Sequence, residues 1–201
     1  FGGELDMLEL HMRTVGDYIE GFIAAEADHT HQGEKKPFHL DDPMVEQRLG
    51  PTLFSKLRVV QVKLPSEQCN GTCVCEKQQR NGILQGLPPD FSARDIMVVG
   101  DVDEILRPRT LVYLARCAVA TPIVFHLRMH YYNLAVLDLN SWTSLKAISG
   151  YDLQQAGGAL NADGIRHGSS FRTAVLDAGW HLSYFGGRKQ VSRKLRSICD
   201  L

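Results

Sequence analysis

The sequence contains no long hydrophobic run, and neither sign of charge is in excess. No stretch of about 18 consecutive apolar residues occurs, the length at which a helix becomes a candidate membrane span. No secretory signal pattern is visible. The 22 Lys and Arg nearly balance the 23 Asp and Glu, which leaves a formal net charge of -1. We therefore expect no membrane span within this fragment, and the charge gives no support to a nucleic-acid partner.

The chain also lacks an initiator methionine, internal repeats and low-complexity segments. Because it opens on Phe1-Gly2-Gly3-Glu4, we expect a fragment of a longer protein, truncated at its termini. Its 201 residues are enough for a substantial core. We therefore expect residues 1–201 to form a single domain.

Cysteine is scarce and unevenly placed. The five cysteines are Cys69, Cys73, Cys75, Cys117 and Cys199. Three of them lie close together, but no second pair at zinc-site spacing accompanies them. We therefore expect a local disulfide or plain thiols rather than a zinc site. The glycosylation sequon at residues 70–72 lies among them and gives weak support to a secretory lumen.

Hydrophobic periodicity and breaker residues predict alternating helices and strands. Helices are expected over residues 4–16, 52–57, 76–87, 108–118 and 189–198, with a short one at 152–156. Strands are expected over residues 18–26, 57–64, 96–99, 121–132 and 142–148. This order predicts an α/β domain with a mixed, mainly parallel central sheet flanked by helices.

The most informative stretch is a short apolar run followed at once by an acidic turn. Ile96–Val99 reads as a buried strand, Gly100 ends it, and three carboxylates follow: Asp101, Asp103 and Glu104. Residues two apart on extended backbone point the same way, so Asp101 and Asp103 should face one side at the carboxyl end of this strand. Converging carboxylates suit Mg²⁺ or Mn²⁺ shared with a diphosphate. The alternative is a solvated acidic turn.

Two later features could converge on the same pocket. His181 is flanked by Trp180 and Tyr184, and a neutral imidazole can complete a manganese site. The alternative is a histidine that is simply packed in the core. A basic helix is predicted to start near Lys189 and to include Lys194, and a helix N-terminus with lysine favours phosphate. The alternative there is a solvated cationic face.

A series of short motifs runs in order along almost the whole chain. They are Glu4-Leu5-Asp6-x-Leu8-Glu9-Leu10, Glu26, Thr30-x-x-Gly33-x-x-Lys36-Pro37, Glu76-x-x-x-Arg80, Asp101-Val102-Asp103-Glu104-Ile105, Asp163-Gly164-Ile165-Arg166, Gly179-Trp180-His181-x-Ser183-Tyr184-Phe185 and Lys194-Leu195-x-Ser197. This series resembles glycosyltransferase family 17, the family of the bisecting β-1,4-mannosyl-glycoprotein β-1,4-N-acetylglucosaminyltransferases.

The resemblance implies a GT-A-like, Rossmann-like fold and a metal-dependent, inverting reaction. The donor would be UDP-N-acetylglucosamine, and the acceptor a mannose of an N-glycan core or another glycan, joined in a β-1,4 linkage. The cofactor would be Mn²⁺ or Mg²⁺. The resemblance also implies a location in the Golgi lumen, as part of a type II membrane protein whose anchor is absent here. If the source is microbial, the expected location is the cytoplasm.

Site residues follow from the same resemblance. The metal ligands would be Asp101, Asp103 and His181. The residues that bind the donor would be Glu26, which would contact the uridine, together with Lys36, Arg80, Asp101 and Lys194. The catalytic base would be Asp163, with Asp152 and Glu104 as alternatives.

Two other functions compete with this one. A phosphatase of the haloacid dehalogenase type also has Asp-x-Asp after an apolar strand, with Asp101 as the nucleophile. That motif normally lies near the start of its domain, whereas here at least two predicted strands precede it. The second alternative is a catalytically silent module that binds glycans.

Overall fold

The computed structural model describes residues 1–69 and 73–199, so the sequon at 70–72 lies outside the described residues. The helices are α1 (Leu5–Val15), α2 (Pro43–Phe54), α3 (Val74–Asn81), α4 (Pro108–Arg116), α5 (Gly150–Gln155), α6 (Ala162–His167) and α7 (Gly187–Ser197). The strands are β1 (Phe22–Ala27), β2 (Leu57–Val62), β3 (Ile96–Val99), β4 (Glu104–Leu106), β5 (Ile123–Tyr131), β6 (Leu137–Trp142), β7 (Lys146–Ser149) and β8 (Thr173–Ser183). In this described part, no helix has the length and apolarity needed to cross a membrane.

The larger sheet is mixed, and most of its strand pairs are antiparallel. Its strand order is β3-β7-β5-β8-β4, with β6 also paired to β5. Only β5 and β8 run parallel, whereas the β3–β7, β7–β5, β5–β6 and β8–β4 pairs are antiparallel. The prediction of a mainly parallel sheet is therefore wrong. Parallel neighbours need long crossovers, and the links between β5, β6 and β7 are too short for them.

A second, smaller sheet holds β1 and β2. These strands run parallel, with α2 in the crossover between them, and Glu26 lies opposite Gln61. The described pairings do not join this sheet to the larger one. The chain therefore has one parallel βαβ unit beside a mixed sheet, rather than one central sheet.

Most predicted elements are confirmed within a few residues. The short helix predicted at 52–57 is instead the end of the longer α2, which begins at Pro43, and the other exceptions lie in the second half of the chain. β3 has the predicted bounds, and helix 76–87 ends at Asn81, where a 3-10 helix over Gly82–Gly86 replaces it. The single strand predicted at 142–148 is wrong, because the chain forms two strands, β6 and β7, with a break between them. The short strand β4, directly after the acidic turn, was not predicted.

Packing fixes the elements on either side of the acidic turn. Ile105 of β4 packs in the main core with Phe125 and Leu127 of β5. A second core cluster joins Val99 of β3 to Ile165 of α6. Because each strand beside the turn belongs to a buried cluster, the turn is held at both ends.

Two disulfides occur among the described residues. Of the two expected alternatives, a local disulfide and plain thiols, the structure has the local disulfide Cys69–Cys75. Cys73–Cys199 joins the start of α3 to the segment that follows α7. Because α7 has no buried residue of its own, this bond and the contacts described below hold the helix against the domain.

Gly179 of β8 lies opposite Leu106 of β4, and a side chain there would overlap the carbonyl oxygen of Ile105. We predict that Gly179→Ala lowers the free energy of unfolding by about 1–3 kcal/mol, the usual cost of overpacking. Urea unfolding measures it. The control is Gly164→Ala in α6, where a methyl group would meet only the side chains of Asn161, at 3.3 Å, and Leu160, at 3.8 Å, and should change stability by no more than about 1 kcal/mol. Equal stability of Gly179→Ala and the unmodified chain would contradict the β4–β8 pairing.

Candidate active site

The acidic turn between β3 and β4 is closed by two reciprocal hydrogen bonds. The Asp101 N–H donates to Oε2 of Glu104 at 2.9 Å, and the Glu104 N–H donates to the Asp101 carbonyl at 3.1 Å. A Cβ on Gly100 would overlap the Leu145 side chain and approach the same Glu104 carboxylate. The turn therefore needs glycine at its first position for space, and it holds Asp101 and Asp103 in fixed places.

Arg166 of α6 lies beneath this turn and is almost fully buried. Its Nη1 donates to Oε2 of Glu104 at 2.6 Å, and its Nη2 donates to Oε1 of Glu104 at 2.9 Å and to Oδ2 of Asp101 at 2.7 Å. Burial alone would lower the pKa of Arg166, but attraction to Asp101 and Glu104 outweighs it and raises the pKa above its ordinary value. The guanidinium is therefore a permanent charge clamped between the two carboxylates.

Arg80 of α3 is the second buried arginine of the site. Its Nη1 contacts Oδ1 of Asp163 at 2.6 Å, its Nη2 pairs with Glu76, and the same Nη2 lies 3.6 Å from Oδ1 of Asp101. Burial would lower its pKa, but attraction to Asp101 and Glu76 outweighs this effect and raises it. Asp101 thus lies between the two arginines, and its side chain is still 44% exposed. The predicted residues Arg80, Asp101 and Asp163 belong to one network.

The charges of this network do not balance. Four carboxylates, those of Glu76, Asp101, Glu104 and Asp163, meet the two guanidiniums of Arg80 and Arg166, which leaves an excess of two negative charges. A divalent cation has the opposite charge, and Asp101 is the member of the network with the most exposed carboxylate.

Asp103 lies in a neighbouring group with Lys194 and His181. Oδ2 of Asp103 accepts a hydrogen bond from Nζ of Lys194 at 2.7 Å and lies 3.6 Å from Nε2 of His181. Burial would raise the pKa of Asp103, but His181 and Lys194 outweigh it and hold this pKa well below its ordinary value. Burial would lower the pKa of Lys194, but Asp103 reverses that effect and raises it. Both groups are therefore charged at neutral pH.

Trp142 connects the two groups. Its indole Nε1 donates to Oε1 of Glu104, and its ring centroid lies 4.5 Å from that of His181. Nδ1 of His181 is buried and has no hydrogen-bond partner among the described residues. Nε2, the other ring nitrogen, is the one that faces Asp103.

Glu26 and Lys36 form a third group. The Glu26 side chain is fully buried, and its oxygens accept from the backbone N–H groups of His39 at 2.8 Å and Leu40 at 2.9 Å. Nζ of Lys36 lies 3.2 Å from the same carboxylate. In this arrangement Glu26 anchors the loop after β1, which sequence reasoning did not anticipate.

The predicted metal ligands fit a cation in chemistry but are not gathered around one point. Carboxylate oxygens with an imidazole suit Mn²⁺, and the adjacent network has two negative charges in excess. Among residues 1–69 and 73–199, the group of three ligand atoms found within 4.8 Å of one another is His31, Glu76 and Cys199, not Asp101, Asp103 and His181. Cys199 is in a disulfide, so it offers no thiolate.

A cleft of about 550 Å³ runs along α7, beside the loop that contains Thr30 and Glu34. Four cationic side chains line it: Arg188, Lys189, Arg193 and Arg196. Lys194, on the same helix, contacts Asp103 instead. The basic helix was predicted correctly, but its cations divide between the cleft and the acidic turn.

Sequence reasoning assigned no role to Arg166 or Trp142. Arg166 stood in a recognised motif, but it lies in a glycine-rich stretch whose periodicity gives no sign of burial. Trp142 is the first residue of the strand predicted at 142–148, whereas in the structure it is the last residue of β6. Only long-range contacts reveal that both residues hold Glu104.

We predict that Arg166→Met lowers the free energy of unfolding by about 3–5 kcal/mol, because it leaves the Glu104 carboxylate buried without its cation. Urea unfolding at neutral pH measures this change. Arg172→Met is the matched control: Arg172 is 64% exposed and lies 3.7 Å from Asp152, so its loss should cost less than about 1 kcal/mol. A loss below about 1 kcal/mol for Arg166→Met would contradict the clamp.

Comparison with known proteins agrees with the resemblance seen in the motifs. The model of Glycosyltransferase family 17 matches residues 1–196, which include all the candidate site residues. No match was found among curated proteins or among solved structures. This family assignment argues against the phosphatase alternative. The chain belongs to glycosyltransferase family 17 and is a glycosyltransferase.

Proposed function

We propose that this glycosyltransferase moves N-acetylglucosamine from UDP-N-acetylglucosamine to a mannose of an N-glycan core, in a β-1,4 linkage and with inversion. A glycosyltransferase uses a sugar donor and a glycan acceptor, and the family supports that general activity. The observation that carries the finer proposal is the acidic turn, where Asp101 is partly exposed and the buried, ionised Asp103 lies 3.6 Å from Nε2 of His181.

The proposal assigns Mn²⁺, or Mg²⁺ in its place, to Asp101, Asp103 and His181. Support comes from the excess negative charge of the neighbouring network and from Nε2 of His181, which lies 3.6 Å from Oδ2 of Asp103. When bound, the ion would neutralise charge on the departing diphosphate. Lys194 now compensates Asp103, and in the loaded enzyme its ammonium would be free to contact a phosphate oxygen.

Arg80 and Asp163 are paired at 2.6 Å and would lie together beside the donor. Arg80 is positioned by Glu76 and Asp163 and is proposed to contact the donor. Lys36 and Glu26 are proposed to form the uridine side of the site, with Glu26 holding the loop that would contact the base. We further propose that these elements together correspond to a GT-A-like arrangement.

The transfer itself would be a single displacement. The acceptor hydroxyl attacks the anomeric carbon, and its proton passes to the carboxylate of Asp163. The bond from that carbon to the diphosphate oxygen breaks at the same time, so UDP leaves. Of the two alternative bases, Glu104 is fully buried and held by Arg166, Trp142 and a backbone N–H. Asp152 accepts hydrogen bonds from Thr121 and Ser149 and has no described contact with the arginine network.

The proposed location is the Golgi lumen. The two disulfides support an oxidising compartment, since such bonds are rare in the cytosol. The sequon at residues 70–72 is compatible with the same compartment.

We predict that Asp103→Asn weakens manganese-dependent UDP binding about 100-fold or more, because it removes a charged ligand from the proposed ion. Calorimetric titration of UDP, with Mn²⁺ and with EDTA, measures the change. Asp90→Asn, on an exposed loop, is the control and should bind UDP as the unmodified chain does.

The same titration can contradict the metal assignment. Unchanged manganese-dependent affinity in Asp103→Asn would reject it, provided that urea unfolding shows a folded variant. Absence of UDP binding to the unmodified chain with Mn²⁺ present would favour the silent glycan-binding module.

We predict that Asp163→Asn reduces kcat by about 10²–10⁴, the range expected on loss of a general base, and has a much smaller effect on UDP affinity, because Glu76 still positions Arg80. Release of UDP in the presence of a biantennary N-glycan measures kcat. Asp152→Asn is the matched control and should stay within about twofold of the unmodified enzyme. Near-normal turnover in Asp163→Asn would mean that another group takes the proton.

A further inference from the structure

Three tyrosines form an aromatic cluster at the carboxyl ends of the one parallel strand pair in the larger sheet. Tyr131 is the last residue of β5, Tyr132 follows it, and Tyr184 directly follows β8. The ring centroids of Tyr132 and Tyr184 are 5.8 Å apart with planes 25° apart, and those of Tyr131 and Tyr184 are 6.5 Å apart with planes 18° apart. Tyr131 and Tyr132 are tilted by 41° to each other, and each lies closer to parallel with Tyr184. We call these three rings the tyrosine platform.

The backbone of the platform adopts a conformation that tyrosine rarely takes. Tyr132 has φ 64° and Tyr184 has φ 58°, and only one other non-glycine residue in the described chain, Asp177, has positive φ. The two strained residues are held together because the Tyr132 N–H donates to the Ser183 carbonyl at 2.9 Å. Bulky side chains at positive φ are uncommon, and such strain concentrates at ligand sites.

The platform adjoins the acidic turn. Nζ of Lys194 lies 5.7 Å from the Tyr184 ring centroid and 2.7 Å from Oδ2 of Asp103, so one ammonium contacts both. Tyr132 is 58% exposed. An exposed aromatic surface of this kind is a candidate for ligand contact. An apolar surface beside charged groups is the usual composition of a small-ligand site.

We propose that the tyrosine platform is the acceptor subsite, on which one pyranose ring of a neutral oligosaccharide stacks beside Asp103 and Lys194. The inference rests on the proposed function, since it supplies the second substrate of that site. A pyranose presents a face of axial C–H groups, and an aromatic ring with its electron-rich face attracts such partially positive hydrogens. Neutral rings suit a neutral sugar, whereas the charged cleft along α7 does not.

The test uses three variants of the whole chain. Tyr132→Ala should raise KM for an N-glycan core oligosaccharide about tenfold, whereas Tyr132→Phe, which keeps the ring, should stay within about twofold. UDP affinity should be the same in both. Phe171→Ala is the matched control: Phe171 is 52% exposed and lies just before β8, at the opposite end of the strand from Tyr184.

A binding measurement separates this inference from the proposed function. Saturation-transfer NMR with a mannose-containing N-glycan core pentasaccharide should show contact for the unmodified chain, Tyr132→Phe and Phe171→Ala, and its loss in Tyr132→Ala. Equal sugar contact in Tyr132→Ala, or no contact in the unmodified chain, would overturn the subsite. Sugar contact that depends on Tyr132 without any consumption of UDP-N-acetylglucosamine would uphold the subsite and reject the proposed donor.

Discussion

The clamp of Arg166 on Glu104 and Asp101 is the interaction on which the rest of the site depends. Taking a guanidinium and a carboxylate out of water is expensive, and the geometry compensates for it with three hydrogen bonds of 2.6–2.9 Å. These bonds tie α6 to the turn between β3 and β4. The position of Asp101 is therefore set by a buried charge and not by the loop alone.

The clamp also explains how the site divides its charges. Arg166 and Arg80 restrain Asp101 from the protein side and leave its carboxylate partly exposed. Asp103 instead pairs with Lys194 of α7, and Trp142 links the two groups through Glu104 and His181. Since Cys73–Cys199 fastens the end of α7, an oxidising environment and the placement of Lys194 are linked.

The sequence predicts the acidic turn and the strand before it, but it does not predict the strand pairing or the buried charged residues that hold the turn. The strand Ile96–Val99 and the turn after it were predictable because a short apolar run ended by glycine has few other interpretations. The pairing of the strands was not predictable, because β4 has only three residues and forms its backbone hydrogen bonds with β8, which is distant in the sequence. The local sequence pattern also cannot distinguish a buried charged residue from an exposed one. The roles of the buried Arg166, and of Glu26, whose carboxylate accepts hydrogen bonds from backbone amides, therefore became visible only in the structure.

The most direct test of the account is the anomalous diffraction of manganese in crystals grown with Mn²⁺ and UDP. The account predicts one manganese peak bound by the carboxylates of Asp101 and Asp103 and contacting the diphosphate, with Arg166 still paired to Glu104. A peak between His31 and Glu76 instead, or no peak and an Asp101 still held by both arginines, would contradict it.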